Sequence, residues 1–166
     1  MRLVTPTPLT PEAWAPFGAY IGARATPPRF GNQGRARVWD QLGALMNTRP
    51  GAAPNLGVFR TGPWVGDVDV RMLERHPHST QLFVPMSAAR YLLIVAPPGP
   101  APAPDRVVAF LAPGDVAITY HPGTWHHPLT ALDREADFTC LVWEDGGAGD
   151  CEMVPISGVW VVVPPR

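Results

Sequence analysis

Asp67-Val68-Asp69-Val70-Arg71-Met72-Leu73-Glu74-Arg75-His76 alternates with the period of a β-strand, and its reading sets the fold. Successive side chains of a strand point to opposite faces. Val68, Val70, Met72, Glu74 and His76 therefore share one face, and Asp67, Asp69, Arg71 and Arg75 the other. Glu74 and His76 point where the apolar residues point. Similar short runs follow at Gln81 to Pro85, Tyr91 to Val95, Val107 to Leu111, Val116 to His121, Trp125 to Leu129 and Asp137 to Trp143. Turns such as Ala112-Pro113-Gly114-Asp115 and Pro122-Gly123 separate them. The pattern predicts a meander of short antiparallel strands, in an all-β sandwich or barrel whose final strand is Asp137 to Trp143.

The rest of the chain fits that frame. Its 22 prolines and 16 glycines cut it into short segments, and the best helix is a brief one near the start. Thr10 caps it, Pro11 suits its first position, and Glu12 to Phe17 continue it until Pro16-Phe17-Gly18 stops it. Ala96 to Pro104 reads as a stiff loop between strands. At 166 residues and 46% hydrophobic content the chain makes a single domain, 1–166, with a buried core. The amino-terminal stretch Met1 to Pro8 holds neither a secretory signal nor an apolar span, so the expected compartment is the cytoplasm.

Charge narrows the chemistry. The net charge is −1 and the 13 basic residues are all arginine, which argues against nucleic acid and anionic membrane as partners. Without lysine there is no Schiff base and no pyridoxal phosphate linkage, and no other organic cofactor is expected. An anionic group on a substrate must then be held by arginine, backbone amides or a metal. Cys140 and Cys151 form no Cys-x-x-Cys pair and no disulfide framework; Cys140 reads as a small core residue.

Four of the five histidines lie in two clusters, His76 with His78 and His126 with His127. Two clusters on separate strands, each near a proline or glycine turn, point to one site in a barrel mouth. Pro77 breaks regular pairing between His76 and His78, so the His-x-His spacing does not oblige both rings to share a face.

The order His76-x-His78, Gln81, Pro113-Gly114-Asp115, then Pro122-Gly123 before His126 resembles the two-part motif of cupins. In that fold, a double-stranded β-helix or jelly-roll barrel, histidines and a carboxylate bind a divalent metal. A closer resemblance rests on longer stretches: Leu73-Glu74-Arg75-His76-Pro77 with Thr80-Gln81-x-Phe83-x-Pro85-Met86, Tyr120-His121 with Trp125-His126-His127-Pro128-Leu129, and Asp137-Phe138 leading to Asp150-Cys151-Glu152. With Leu9-Thr10-x-Glu12-Ala13-Trp14-x-Pro16-Phe17-Gly18, these resemble the ureidoglycolate lyase family of the cupin superfamily over nearly the whole chain.

That resemblance implies a cupin barrel with a short N-terminal helix, usually a homodimer, acting in allantoin and purine breakdown to yield glyoxylate and urea. Elimination from ureidoglycolate needs a base for the hydroxyl proton and an acid for the departing nitrogen. Histidine serves either role near neutral pH, which singles out His76 and His126, with Glu74 to orient or polarise one of them. Gln81 offers a donor and an acceptor to a urea group. Tyr120 and His127 are second-line substrate contacts. Arg75 falls inside the matched motif as a candidate for the substrate carboxylate, although strand phase sets it opposite His76. If a metal binds, nickel or a similar divalent ion by family resemblance, the ligands would be His76, His78, Gln81 and His126. Two other classes remain: a metal-dependent cupin dioxygenase or isomerase, and a non-catalytic small-molecule-binding cupin.

Overall fold

A computed structural model describes residues 1–165. Before the core strands come β1 (Arg2–Val4), β2 (Thr7–Pro8), the helix α1 (Pro11–Trp14), β3 (Tyr20–Ile21), β4 (Arg29–Gly31), β5 (Ala36–Val38) and β6 (Ala53–Thr61). Then follow β7 (Val68–Arg75), β8 (Gln81–Pro85), β9 (Arg90–Ala96), β10 (Val108–Pro113) and β11 (Ala117–Tyr120). The chain ends in β12 (Trp125–His126), β13 (Thr130–Leu132), β14 (Ala136–Glu144) and β15 (Glu152–Val161).

The strands form two main sheets that curl into a cupin-type β-barrel. The larger runs β1-β15-β7-β12-β9-β10-β2, with β13 also on β9; the smaller runs β3-β11-β8-β14-β6. This corrects the expected meander, because β7 pairs with β15 and β12 rather than with its sequence neighbour β8. Two pairings, β1 with β15 and β2 with β10, are parallel. Asp137 to Trp143 is also not the last strand. β15 follows it, ten residues long, exposed over much of its length and holding Pro155 and Gly158, so it carries no clean alternation.

The strand β9 shows why the barrel holds. Tyr91, Leu93 and Val95 join one apolar cluster with Phe83, Ile118, Phe138 and Cys140. Leu92, Ile94 and Ala96 join a second with Val68, Val70, Leu73 and Trp125. A strand apolar at every position is buried on both faces, as in sheets covered on both sides. Fully burying one such side chain contributes about 1.5–3 kcal/mol.

The strand β7 departs from unbroken alternation. Val68 and Val70 sit in the second cluster, yet so does Leu73, an odd number of residues further on. The register of β15 slips between Pro155 and Val159, opposite this point. A bulge of this kind re-aims the side chains beyond it. Glu74 and His76 thus do not share the cluster of Val68 and Val70.

The helix α1 is a single turn ending at Trp14, shorter than the expected run to Phe17. Thr10 caps it as its sequence implies, accepting from the Ala13 amide at 3.2 Å. So short a helix is held by packing and not by propensity. Trp14 is wholly buried among Phe17, Phe110 and Tyr120, and its indole N–H donates to the Thr119 carbonyl at 3.1 Å. Gly18 lies so close to β11 that a Cβ there would fall 1.6 Å from the Thr119 oxygen.

The smaller sheet has an apolar outer face. Leu56 and Val58 of β6 are 71% and 63% exposed; across β14 and β8, Leu56 continues into Leu141 and Leu82, and Val58 into Thr139 and Val84. Water-facing positions of an antiparallel sheet are ordinarily polar.

Candidate active site

Glu74 and His76 close the end of β7, and β12 is inserted between β7 and β9 so that His126 lies directly across from Glu74. Opposed residues of an antiparallel pair have Cβ atoms about 4.5–5.5 Å apart. His126 is 1% exposed, and its Nε2 stands 3.4 Å from Glu74 Oε1. The second cluster is tied to the first through the backbone, since Gly123, at a φ of 82°, donates its N–H to the His76 carbonyl at 2.9 Å.

Both imidazoles are oriented alike. His76 Nδ1 lies 2.8 Å from the Asp150 carbonyl, and His126 Nδ1 lies 2.9 Å from the Thr124 carbonyl. A carbonyl can only accept, so each ring carries a proton on Nδ1 and presents Nε2 to the site. The Tyr120 ring stacks on His126 at 4.0 Å, and His76 stacks on the other histidine at 5.7 Å. Asp150 is itself fixed: Arg49 donates to its carboxylate at 2.5 Å, and the amides of Asp145 and Gly146 donate at 3.0 and 2.8 Å.

A cavity of about 160 Å³ opens between β7 and the inner faces of β6, β8 and β14. Its lining includes Glu74, His76, Gln81, Asn55, Cys140 and Glu144. That volume is roughly five waters' share of liquid, the scale of a very small metabolite. His126 is one layer beneath, behind Glu74. Gln81 Nε2 donates weakly to Cys140 Sγ at 3.7 Å, while Gln81 Oε1 and His126 Nε2 are buried without a hydrogen-bond partner. Orphaned buried polar atoms are rare and mark places where a ligand belongs.

Electrostatics follow from this packing. Burial by itself would raise the Glu74 pKa, but His126, with His76 and His127, outweighs it and holds the carboxyl below its ordinary range. Burial, with help from His126, lowers His76, so its ring stays neutral at neutral pH. Burial pushes both thiols, Cys140 and Cys151, up to about 11; neither is a thiolate nucleophile at neutral pH.

The structure separates the sequence-derived candidates. Glu74, His76 and Gln81 meet in the cavity, with His126 behind them. His78 lies apart: beyond Pro77 its Nδ1 faces Thr48 Oγ1 at 3.2 Å, and it is not among the cavity's lining residues. Arg75 is on the opposite face, its guanidinium 4.4 Å from the Trp125 ring and bound to Glu152 at 2.6 Å and to the Gly99 carbonyl at 2.6 Å. His127 turns its Nδ1 to the Pro128 carbonyl at 2.9 Å. Tyr120 touches His126 rather than the cavity. Asn55 and Glu144 belong to the site but were not among the candidates. Glu144 continues the phase of Phe138, Cys140 and Val142 one residue past the expected strand end, whereas Asn55 sits on an edge strand with no apolar period to reveal it.

One oxygen of Glu74 and one ring nitrogen each of His76 and His126 lie within 4.8 Å of one another. Two imidazoles and a carboxylate with Nδ1 protons tied to carbonyls are a donor set suited to a divalent ion. The unpartnered His126 Nε2 fits that use. The set differs from the expected ligands, with Glu74 entering and His78 standing apart.

A family model described as ureidoglycolate lyase matches residues 1–163. A Burkholderia cepacia protein named ureidoglycolate lyase is 39% identical over 158 residues, covering 93% of this chain and 86% of that protein. Proteins of the same name from Stutzerimonas stutzeri (strain A1501) and Azotobacter vinelandii (strain DJ / ATCC BAA-1303) are 35% and 36% identical, each over 90% of this chain and 87% and 89% of their own length.

Proposed function

The chain belongs to the ureidoglycolate lyase family, and from that premise we propose that it eliminates urea from (S)-ureidoglycolate and leaves glyoxylate. The observation that supports this best is the convergence of a neutral His76, an ionised Glu74 and an unpartnered Gln81 oxygen in one small cavity.

Chemically, the substrate's hydroxyl loses its proton, the C–O bond becomes a carbonyl, the C–N bond breaks with its electron pair leaving on nitrogen, and that nitrogen takes up a proton. His76 Nε2 accepts the hydroxyl proton and returns it to the departing nitrogen, so no outside acid is needed. Glu74 stabilises the imidazolium formed in between, and His126 keeps Glu74 ionised. Gln81 Oε1 accepts a ureido N–H, a hydrogen bond that no other described residue satisfies in its absence.

A second reading is favoured by the three converging donors. Glu74, His76 and His126 would hold a divalent ion, which when bound supplies Lewis acidity toward the substrate's carboxylate and hydroxyl oxygens. Its support is the mutual spacing of those atoms.

Among the described residues no helix is long and apolar enough to cross a membrane. Action in the cytoplasm and as a homodimer belongs to the same proposal, the dimer supported by the apolar outer face of the smaller sheet.

The test is product analysis with purified protein and (S)-ureidoglycolate, run with and without a chelator. Urea and glyoxylate in equal amounts are expected. Absence of both at millimolar substrate with added divalent metal sinks the lyase reading, and ammonia in place of urea points to amide hydrolysis. Loss of turnover with chelator, restored by metal, selects the second reading.

A further inference from the structure

The cavity has a charge problem. Among the described residues its lining contains two carboxylates, Glu74 and Glu144, and no arginine. A substrate carboxylate entering such a site meets like charge. The two nearby guanidiniums are already committed: Arg75 of β7 to Glu152 and Gly99 on the far face, and Arg49, which precedes β6, to Asp145 and Asp150. Besides an ion held by Glu74, His76 and His126, a cation for that carboxylate has to come from outside this lining.

The hairpin of β4 and β5 offers one. It is a two-stranded sheet that pairs with neither main sheet. An isolated hairpin is marginal in water at best. Its tip places Asn32, Gln33 and Gly34 in succession at φ of 51°, 58° and 86°, and strain of this kind persists only where surrounding contacts reward it. Within one protomer those contacts are missing. Phe30 is 67% exposed, and its cross-strand neighbour Arg37 is exposed beside it with no hydrogen-bond or ion-pair partner among the described residues. Arg29, by contrast, is paired with Asp40.

Position joins the two observations. The hairpin is closed at its base, where Trp39 donates to the Thr26 carbonyl, and residues 39–45 lead from it to the β3 edge of the smaller sheet, over the outer face beside Ile21, Leu82 and Val84. The cavity is at the opposite edge, where Asn55, Gly57 and Phe59 of β6 line it. If two copies pack their apolar outer faces together about a two-fold axis parallel to the strands, the β3 edge of each lies over the β6 edge of the other. The cationic hairpin of one protomer then reaches the anionic cavity of its partner.

We propose that the protein acts as this face-to-face pair, and that each β4–β5 arm closes the partner's cavity and brings Arg37 to the substrate carboxylate. The inference rests on the lyase reading for its anionic substrate. It explains why a carboxylate site lacks a cation and why an unsupported hairpin is built at all.

Subunit mixing tests it. Arg37→Ala alone should lose about 10- to 100-fold in kcat/KM, chiefly through KM, as expected for one charge-assisted contact to a carboxylate. His126→Ala should be inactive alone. When the two variants are co-expressed, each mixed dimer holds one site with an intact His126 and an intact arm from the other chain, so activity should return to about a quarter of wild type in a randomly assorted pair. No recovery on mixing means that Arg37 acts within its own chain and overturns the proposal. Full activity of Arg37→Ala, or of a monomer in analytical ultracentrifugation, overturns it as well, with the lyase reading intact. An inactive wild type overturns the lyase reading and this inference together.

Discussion

Glu74 and His126 face each other across the β7–β12 pair, with Oε1 and Nε2 3.4 Å apart and the imidazole almost wholly out of water. That ring, with His76 and His127, outweighs the burial that would raise the carboxyl, and it is held in place by the Thr124 carbonyl and the Tyr120 stack. Removing the charge while keeping the shape isolates its contribution. Glu74→Gln should lower kcat about 100-fold or more, the usual scale of a lost acid–base group, and leave the melting temperature close to wild type. Steady-state kinetics with a thermal melt on the same sample read both; unchanged kcat in a folded variant would remove Glu74 from the chemistry.

The pH response has a defined sign. His76 and His127 are held below about 6.5 by burial. Between the folded values and about 6.5 the unfolded chain binds more protons than the folded one, so stability rises with pH through that window and is complete above it. Glu74, held below its ordinary value, acts in the same direction at lower pH: its contribution is lost as pH falls through the folded value. Melting temperature should therefore drop from pH 7.5 to pH 5.5, and the acidic limb of kcat/KM should lie below pH 6.5. A melting temperature that rises on acidification contradicts this.

Trp14 ties the one-turn helix to the site through Tyr120, with ring centroids 5.7 Å apart, and Tyr120 in turn stacks on His126. Trp14→Ala should destabilise by about 3–5 kcal/mol, the range for deleting a buried large aromatic. Urea unfolding followed by circular dichroism measures it. A loss below about 1 kcal/mol would mean that the barrel end collapses to fill the space.

Arg49 acts on the site at a distance. It holds Asp145 and Asp150, and the Asp150 carbonyl holds His76 Nδ1. Arg49→Met keeps the stem but frees the loop. Stability should fall by about 1–3 kcal/mol, as for a lost hydrogen bond to a charged group. The Asp150 carbonyl favours the protonated His76 ring, so loosening it should move the acidic limb of the pH profile further down. Lowered stability with an unmoved pH profile would assign Arg49 a purely structural role.

Much of this was written in the sequence, in a particular way. The strand Gln81–Pro85 stands where the alternation places it, and Thr10 and Pro11 start the helix they announce. Those elements carry local information: an alternation facing a core, a cap, a proline. The pairing of β7 with β15 does not, because it depends on residues 77 apart, Arg75 and Glu152, and on a register slip that only the folded partner reveals. The edge strand β6 was missed because it is exposed along most of its length. At the site, the histidines and Gln81 were found by residue type and spacing, while Glu74 was named on a strand phase that breaks between Val70 and Leu73. The partnership of Glu74 with His126 needed the insertion of β12, which no local pattern encodes.

The cavity has two walls of unequal firmness. Behind Glu74 on one side, His126 is carried by β12, whose neighbour β9 is buried on both faces. On the other, Asn55 and Gly57 hang on β6, which is paired only with β14 and exposed along most of its length. Local opening is cheapest where few buried contacts must break. In hydrogen exchange on a single protomer the β9 amides would be the last to trade their protons and those of β6 among the first, so the mouth opens more readily than the layer that carries His126.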